Sequence, residues 1–424
     1  MPIFKSPKGT RDIFYSELYH WQVIESRARE IFRRYNYKEI STPIFEDKKL
    51  FLRGLGTQTE IVEKQLFILK YSSQEEEKEK FCLRPEGTAP VVRAYVEHNL
   101  YKDWPVAKFF YIGPMFRGER PQKGRLRQFH HIGAELIGSL SFYADLEIIM
   151  LSSQIIKELG INNYKMLINS LGCNQDKERL KMLLKEKLSG VKEKLCEVCQ
   201  RRLHTNILRI LDCKNETCRK LVRELRIDKE DYLCEECLIH YLNLRQQLEK
   251  FKVSFKEDPY LVRGLDYYTQ TVFEFVHPSL GAQNAFGGGG RYNNLLEELG
   301  GVRGGCVGFA LGMERMLMII DNLPSLEEGI FIFIAVTDKL FYNNAISLLY
   351  DLREKGFEVD LDYRFGSLKS QMRRANKLKA RFCIIIGKDE VEKNFFTLRD
   401  MENAQQMTLG YQDLLAYLSK QKNA

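Results

Sequence analysis

Beyond Ile330 the sequence alternates between two periods, and few folds can accommodate that. The apolar run IFIFIAV (330–336) gives way to helical spacing from Lys339 to Lys355. A second run, FEVDLDY (357–363), then a helix over 368–378 and a third apolar run, ARFCIIIG (380–387), follow. Strands that are apolar on both faces must be covered on both faces, and strands joined by helices tend to lie parallel. The segment 326–424 therefore reads as a small α/β domain with a largely parallel sheet. DNLPSLEEG (Asp321–Gly329) ahead of it has linker composition.

Upstream the pattern is different. Leu18, Trp21, Ile24, Ala28, Ile31 and Tyr35 recur every three or four positions, which predicts an amphipathic helix over 16–35 with Ser16 as its N-cap. YKEISTPIFED reads as a short strand bent at Pro43. QLFILKY and KFCLRPEG read as β runs around a charged surface loop, Ser72–Lys80. AKFFYIGPMFRGER and LRQFHHIGAELIGS form a strand pair joined by RPQKGR, and the apolar helix YADLEIIMLSSQIIKELG comes next. From 173 to 254 the chain turns Lys/Glu/Leu/Cys-rich and helical, as an inserted module would. Strand character returns at Tyr260 in YLVRGLDYYTQTVFEF. The expected organisation is a core over 1–325, interrupted by the insertion 173–254, and a C-terminal domain over 326–424.

Several classes are excluded. No run of 18 apolar residues exists to span a membrane, and the N-terminus lacks the apolar stretch of a secretory signal, so a cytoplasmic location is expected. Ten cysteines in 424 residues do not make a disulfide framework in a reducing compartment. A net charge of +8 is mild, but seven Lys/Arg against one acid lie between Leu361 and Arg381, a stripe that suits phosphates as well as a solvated helix face.

Neither common nucleotide-binding glycine motif occurs. AFGGGGRYNNLLEELGG nevertheless carries four consecutive glycines, expected as a loop where backbone approaches a ligand closely, with a flexible loop or a bulge as the plain alternative. Arg117, Arg263 and Arg315 each stand at an element end near a glycine. Guanidinium forks suit phosphate and carboxylate oxygens, so the trio suggests a nucleotide gripped by side chains. Glu86 and Thr88 sit at a strand-to-helix turn in LRPEGTAPVVRAY, where Thr88 can also serve as a cap.

These residues resemble a known family. YIGPMFRGERPQKGRLRQFHHIGAELIG is similar to motif 2 of the class II aminoacyl-tRNA synthetases, GFALGMERMLMII to motif 3, and the helix and strand ending at Pro43 to motif 1. LVRGLDYYTQTVFEF and AFGGGGRYNNLLEELGG resemble the two signatures of the histidyl-tRNA synthetases, in the family's order. The resemblance spans nearly the whole chain. It implies an α+β fold: a six- or seven-stranded, mainly antiparallel class II sheet with helices, a helical insertion and a C-terminal α/β anticodon-binding domain. It also implies ATP-dependent ligation of L-histidine to its tRNA through a histidyl-adenylate, with Mg²⁺, by a homodimer.

Under that resemblance Arg263 and Arg117 stabilise the transition state at the α-phosphate. Arg117, Glu119 and Arg315 hold ATP. Glu86, Thr88, His131, Glu135, Arg263, Tyr267, Tyr268 and Tyr292 form the histidine pocket; many family members carry Gln where this chain has His131. Asp266 is expected to position the loop, and His130 to be a core histidine. Arg120, Gln122, Lys123, Arg125 and Arg127 form the loop that meets the tRNA acceptor end, and the basic stripe meets the anticodon stem. A synthetase-like regulatory subunit of histidine biosynthesis is the alternative; a zinc-dependent nucleic-acid-binding protein would explain neither the glycines nor the arginines.

The cysteines stand apart from the motifs. Cys196-x₂-Cys199 and Cys234-x₂-Cys237 have the spacing of zinc ligands, with Cys213-x₄-Cys218 between them. Structural Zn²⁺ on Cys196, Cys199, Cys234 and Cys237 is one reading; buried reduced thiols and redox sensing are the others.

Overall fold

The structure is a computed structural model that describes residues 3–56, 59, 61–70, 80–281, 283–325 and 329–422. The expected loop Ser72–Lys80 lies outside the described residues except for Lys80, and so does part of the linker. The chain falls into two compact units that divide between Pro324 and Ser325.

The first unit is built on strands β1 (Lys38–Glu39), β2 (Phe45–Asp47), β3 (Phe81–Leu83), β4 (Ala107–Phe116), β5 (Gln128–Ile137), β6 (Lys165–Ser170), β7 (Lys256–Glu257), β8 (Thr269–Val276), β9 (Ala285–Arg291) and β10 (Cys306–Gly312). β2 and β3 pair with each other; the other eight run in the order β1-β4-β5-β10-β9-β8-β6-β7. The two-residue edge strands β1 and β7 pair parallel with their neighbours. Every other pair is antiparallel. Among the described residues QLFILKY forms no regular strand, and Ile68 makes an isolated bridge to Cys82.

The glycine run is a strand rather than a loop. Gly287–Gly290 occupy β9, inside the sheet between β10 and β8. A Cβ on Gly287 would lie 2.3 Å from Leu311 Cδ2, and one on Gly289 would lie 2.0 Å from the Gly308 oxygen. The glycines are therefore required by close packing of strands and floor, and β pairing replaces the freedom a loop would have kept. Opposite them, β8 is bulged between Thr269 and Val272, and Gln270 takes φ +45°. The bulge turns the preceding tyrosines away from the regular pleat.

One face of this sheet packs against two long helices. Trp21, Ile24, Ala28 and Ile31 of helix Tyr15–Arg34 share a core with Ile148, Ile149 and Ile155 of helix Phe142–Glu158, and with Phe273, Phe275 and Phe309 of the sheet. Each of these isoleucine and phenylalanine side chains contributes about 1.5–3 kcal/mol on burial. Two details differ from expectation. Leu18 is exposed, and the first helix begins at Tyr15 behind Phe14 with no side-chain cap, so Ser16 lies inside the helix.

The insertion is helical, with helices Asn174–Ser189, Glu197–Arg202, Glu216–Glu224 and Glu235–Lys250. Its buried Leu180, Leu184, Ile210, Val222 and Tyr232 join the core that also holds Tyr95, Tyr268 and Tyr292.

The second unit has strands β11 (Ile332–Val336), β12 (Val359–Leu361), β13 (Phe382–Ile386), β14 (Phe396–Asp400) and β15 (Gln406–Leu409), in the order β12-β11-β13-β14-β15. The first three are parallel, as the alternation predicts. β14 and β15 add an antiparallel edge that the sequence did not announce, because TLRD and QMTL are too polar to read as buried strands. Among the described residues no helix is long and apolar enough to cross a membrane.

Candidate active site

Strands β4, β5, β8, β9 and β10 contribute to one cavity of about 1200 Å³. Glu86, Thr88, Arg117, Glu119, His131, Arg263, Tyr267, Tyr268, Tyr292 and Arg315 line it, together with Arg125. Glu135 is fully buried behind that wall, and Arg120, Gln122, Lys123 and Arg127 are not part of the lining.

The strand period explains one wall. His131, Gly133 and Glu135 alternate along β5 and so share a face, and Gly133 is registered against Tyr111 of β4. A Cβ on Gly133 would lie 2.4 Å from the Tyr111 ring, and one on Gly87 would lie 2.3 Å from it. Two glycines thus admit Tyr111 to the cavity wall. Its hydroxyl donates to Glu135 Oε1 at 3.3 Å, as Thr88 Oγ1 does at 2.7 Å, while Tyr292 donates to Oε2 at 2.5 Å. Burial still pushes the Glu135 carboxyl up to about 8 against these donors. Tyr111 was missed in the sequence; its register opposite Gly133 was the available signal.

Thr88 does not cap its helix. Glu86 does, accepting from the Thr88 amide at 2.7 Å and the Ala89 amide at 2.9 Å. That frees the Thr88 hydroxyl for Glu135. Tyr267 lies tilted at 4.7 Å from Tyr268 and meets Tyr292 edge-on at 5.5 Å, so the three rings form one side of the pocket.

Each arginine is held from behind. Arg117 Nε donates to the Pro85 carbonyl at 2.9 Å and the guanidinium lies 5.1 Å from the Phe129 ring centroid. Burial lowers its pKa, and among the described residues no carboxylate pairs with it. Arg263 donates through Nη1 to Glu274 Oε1 at 2.5 Å, while its buried Nε has no partner among the described residues. Buried donors in that state are rare and costly, which marks Nε as a place for an incoming acceptor. Glu274 of β8 is registered against Gly288 of β9, where the missing side chain leaves room for Arg263. Arg315 donates to the carbonyls of Gly124, Gln283 and Ala285. His131 Nδ1 is also buried and unpartnered, and burial beside Arg117 holds its pKa well below the usual imidazole value. His131 is therefore a neutral ring. His130 instead joins the packing: it meets Trp21 edge-on at 4.6 Å and Glu314 at 3.3 Å.

The motif 2 hairpin turns at Gln122–Arg125 with Gly124 at φ +69°. Arg120, Gln122 and Lys123 are exposed at its tip. Arg125 pairs with Glu119 instead, and Arg127 donates to the carbonyls of Glu119 and Lys8 at 3.2 and 3.3 Å. Asp266 accepts from Asn206 Nδ2 at 3.2 Å through both oxygens, and Arg209 Nη1 donates to the Arg263 carbonyl at 3.1 Å. Both donors come from the insertion.

The cysteines do not form the expected set. Cys196 and Cys199 cluster with Cys213 and Cys218, whereas Cys234 and Cys237 cluster with Cys173 and Asp176. The two C-x₂-C pairs open separate helices, and each finds partners at a turn nearer to it in the fold. A single site on Cys196, Cys199, Cys234 and Cys237 is thus excluded.

The comparisons with known proteins agree with this geometry. The family model described as histidyl-tRNA synthetase matches residues 9–316, and that of an anticodon binding domain matches residues 330–421. The chain is 43% identical to a histidine–tRNA ligase of Syntrophomonas wolfei subsp. wolfei, covering 97% of each sequence. It is 42% identical to that of Halothermothrix orenii, covering 98% of this chain and 99% of the relative. Among solved structures it resembles the apo histidyl-tRNA synthetase of S. aureus with a TM-score of 0.77 and 34% identity, over 98% of this chain and all of the other.

Proposed function

The chain belongs to the histidyl-tRNA synthetase family, and on that premise we propose how its residues divide the work of joining histidine to its tRNA. The reading rests most on one observation: Arg117 and Arg263 open on the same cavity as the Glu86, Thr88 and Tyr268 pocket.

In the first step a histidine carboxylate oxygen attacks the α-phosphorus of ATP. A P–O bond forms, the bond to the β-phosphate bridging oxygen breaks, and pyrophosphate leaves. No general base is needed, because the nucleophile is already anionic. The barrier lies in the charge that gathers on the phosphorus oxygens, which fixed cations lower without reorganising. Arg263, whose Nε has no partner among the described residues, and Arg117, which pairs with no described acid, supply that charge. Arg315 holds the γ-phosphate, and Glu119 the adenine side. ATP enters as its magnesium complex, as the family implies.

Glu86, Thr88, His131 and Glu135 receive the ammonium and ring nitrogens of histidine, and Tyr267, Tyr268 and Tyr292 wall the imidazole. A buried carboxyl that meets a ring N–H selects strongly against analogues lacking it, since the unmatched group would stay unpaired. In the second step a hydroxyl of the terminal ribose attacks the acyl carbon, AMP departs with the bonding pair, and the hydroxyl proton passes to a phosphate oxygen of the departing AMP. The exposed Arg120, Gln122 and Lys123 meet the acceptor end; Arg125 and Arg127 brace the hairpin. The stripe on helix Leu368–Lys377 meets the anticodon stem. The working form is a homodimer in the cytoplasm.

ATP–pyrophosphate exchange with each of the twenty amino acids tests this reading. Histidine alone is expected to support exchange; exchange with none would remove the assignment. The regulatory-subunit alternative is not favoured, because relatives named histidine–tRNA ligase align over nearly the full length, C-terminal unit included.

A further inference from the structure

We propose that Cys196, Cys199, Cys213 and Cys218 bind one structural zinc ion, and that the ion fixes the insertion loop that braces Arg263 and Asp266.

The sulfurs of the four cysteines all lie within 4.8 Å of one another, and Cys196 Sγ is 3.9 Å from Cys213 Sγ. A tetrahedron with Zn–S bonds of about 2.3 Å has sulfur–sulfur edges of about 3.8 Å. A disulfide needs about 2.05 Å, and all four residues are free thiols. Cys199, Cys213 and Cys218 are buried, so the group is a closed set rather than a surface scatter. The Cys196 amide already donates to Cys218 Sγ at 3.2 Å, the kind of N–H contact that steadies a ligating sulfur. Four soft sulfur donors this close together, enough to fill a tetrahedral shell, suit a structural zinc. Each thiol that ligates gives its proton to solvent.

The second cluster is different in kind. Asp176 already accepts from the Cys173 amide at 3.2 Å and the Cys234 amide at 3.0 Å, and it pairs with Arg179 at 3.2 Å. Its carboxylate is satisfied as a backbone clasp, leaving three thiols. We therefore assign one ion to the chain.

The chain between the ligands explains what the ion does. Residues 200–212 leave the first ligand pair and return to the second. Within them Asn206 reaches the Asp266 carboxylate and Arg209 the Arg263 carbonyl. Clamping both ends of that loop removes conformations in which the two braces swing away. This consequence for catalysis rests on the function proposed above; binding of the ion does not.

The full-length protein, purified without chelator, tests the site by elemental analysis, with about one zinc per chain expected. Cys213→Ser is expected to lower this below about a tenth, while Cys237→Ser retains it. If Cys213→Ser fails to fold, cobalt substitution of the wild-type protein decides: thiolate charge-transfer and tetrahedral ligand-field absorption are expected. Chelation should lower kcat for histidine-dependent exchange about tenfold or more with KM for histidine little changed, and added zinc should restore it. Zinc below about a tenth of an equivalent in the wild type, or an octahedral cobalt spectrum, would overturn the site. Two equivalents, one of them lost in Cys237→Ser, would overturn the single-ion assignment. Full metal content with exchange indifferent to chelation would overturn the bracing role. A loaded protein that exchanges no amino acid would instead refute the ligase reading while leaving the metal site standing.

Discussion

Thr88 donates its hydroxyl to Glu135 Oε1 at 2.7 Å, joining the start of a helix to the middle of a strand 47 positions later. The helix start is capped by Glu86, so the pocket holds two carboxyls with different partners. Glu86 accepts backbone amides, whereas Glu135 accepts hydroxyls only. Burial raises both, and Glu135 reaches about 8.

That difference predicts a pH dependence. The folded chain keeps the Glu135 proton up to about 8, but the unfolded chain loses it near 4.5. The stabilising effect of this group is therefore complete below about 4.5 and declines as pH rises to 8. Between pH 6.5 and 8 it should cost the histidine-free protein about 2 kcal/mol of unfolding free energy. Denaturant titrations at the two pH values should show that loss in the wild type and not in Glu135→Gln. Equal slopes in both proteins would refute it.

Arg263→Ala is expected to lower kcat for histidine-dependent pyrophosphate exchange by about 10²–10³ while leaving substrate binding largely intact. Steady-state kinetics at varied ATP and histidine separate the two. A rise in KM for ATP alone, with kcat unchanged, would contradict the role.

The pair Arg291–Asp145 fixes the far end of the glycine strand. Both side chains are wholly buried, and Arg291 also donates to the carbonyls of Ser139 and Ser141. Asp145→Ala strands a buried cation and should destabilise by about 3–5 kcal/mol. The double substitution Asp145→Leu with Arg291→Met should recover part of that. Urea unfolding measures both, and a single-variant cost below about 1 kcal/mol would exclude the structural role.

Lys369, Arg373 and Lys377 are exposed at four-residue spacing on one helix face, whereas Arg364 and Arg374 are tied to Asp362. Replacing the three by Ala should weaken tRNA binding and lower the slope of log K against log salt by about 2. Filter binding across a salt series reads the slope, and an unchanged slope would place the anticodon stem elsewhere.

Much of the catalytic unit was legible because strand parity is a local property. The alternation of His131, Gly133 and Glu135 places all three on one face whatever the rest of the chain does. The resemblance then gathered residues such as Arg117, Arg263 and Arg315 that no local pattern could have joined. The glycine run was misread as a loop because its reason is a neighbour: Gly308 and Leu311 of β10 occupy the space a side chain would need. β14 and β15 escaped for a similar cause, since their pairing with β13 and not their own composition makes them strands.

By itself the sequence determined what kinds of group are present and at what local period: apolar strands, an amphipathic first helix, guanidinium forks, two C-x₂-C pairs. Tertiary structure alone decided which of them meet. Cys199 turned toward Cys213 rather than Cys234, Thr88 toward Glu135, and Arg263 toward Glu274, because hydrogen bonds and sulfur contacts reach only a few ångströms. Where the chain brings distant segments within that reach is set by how the sheet and the insertion pack, which no window of residues records.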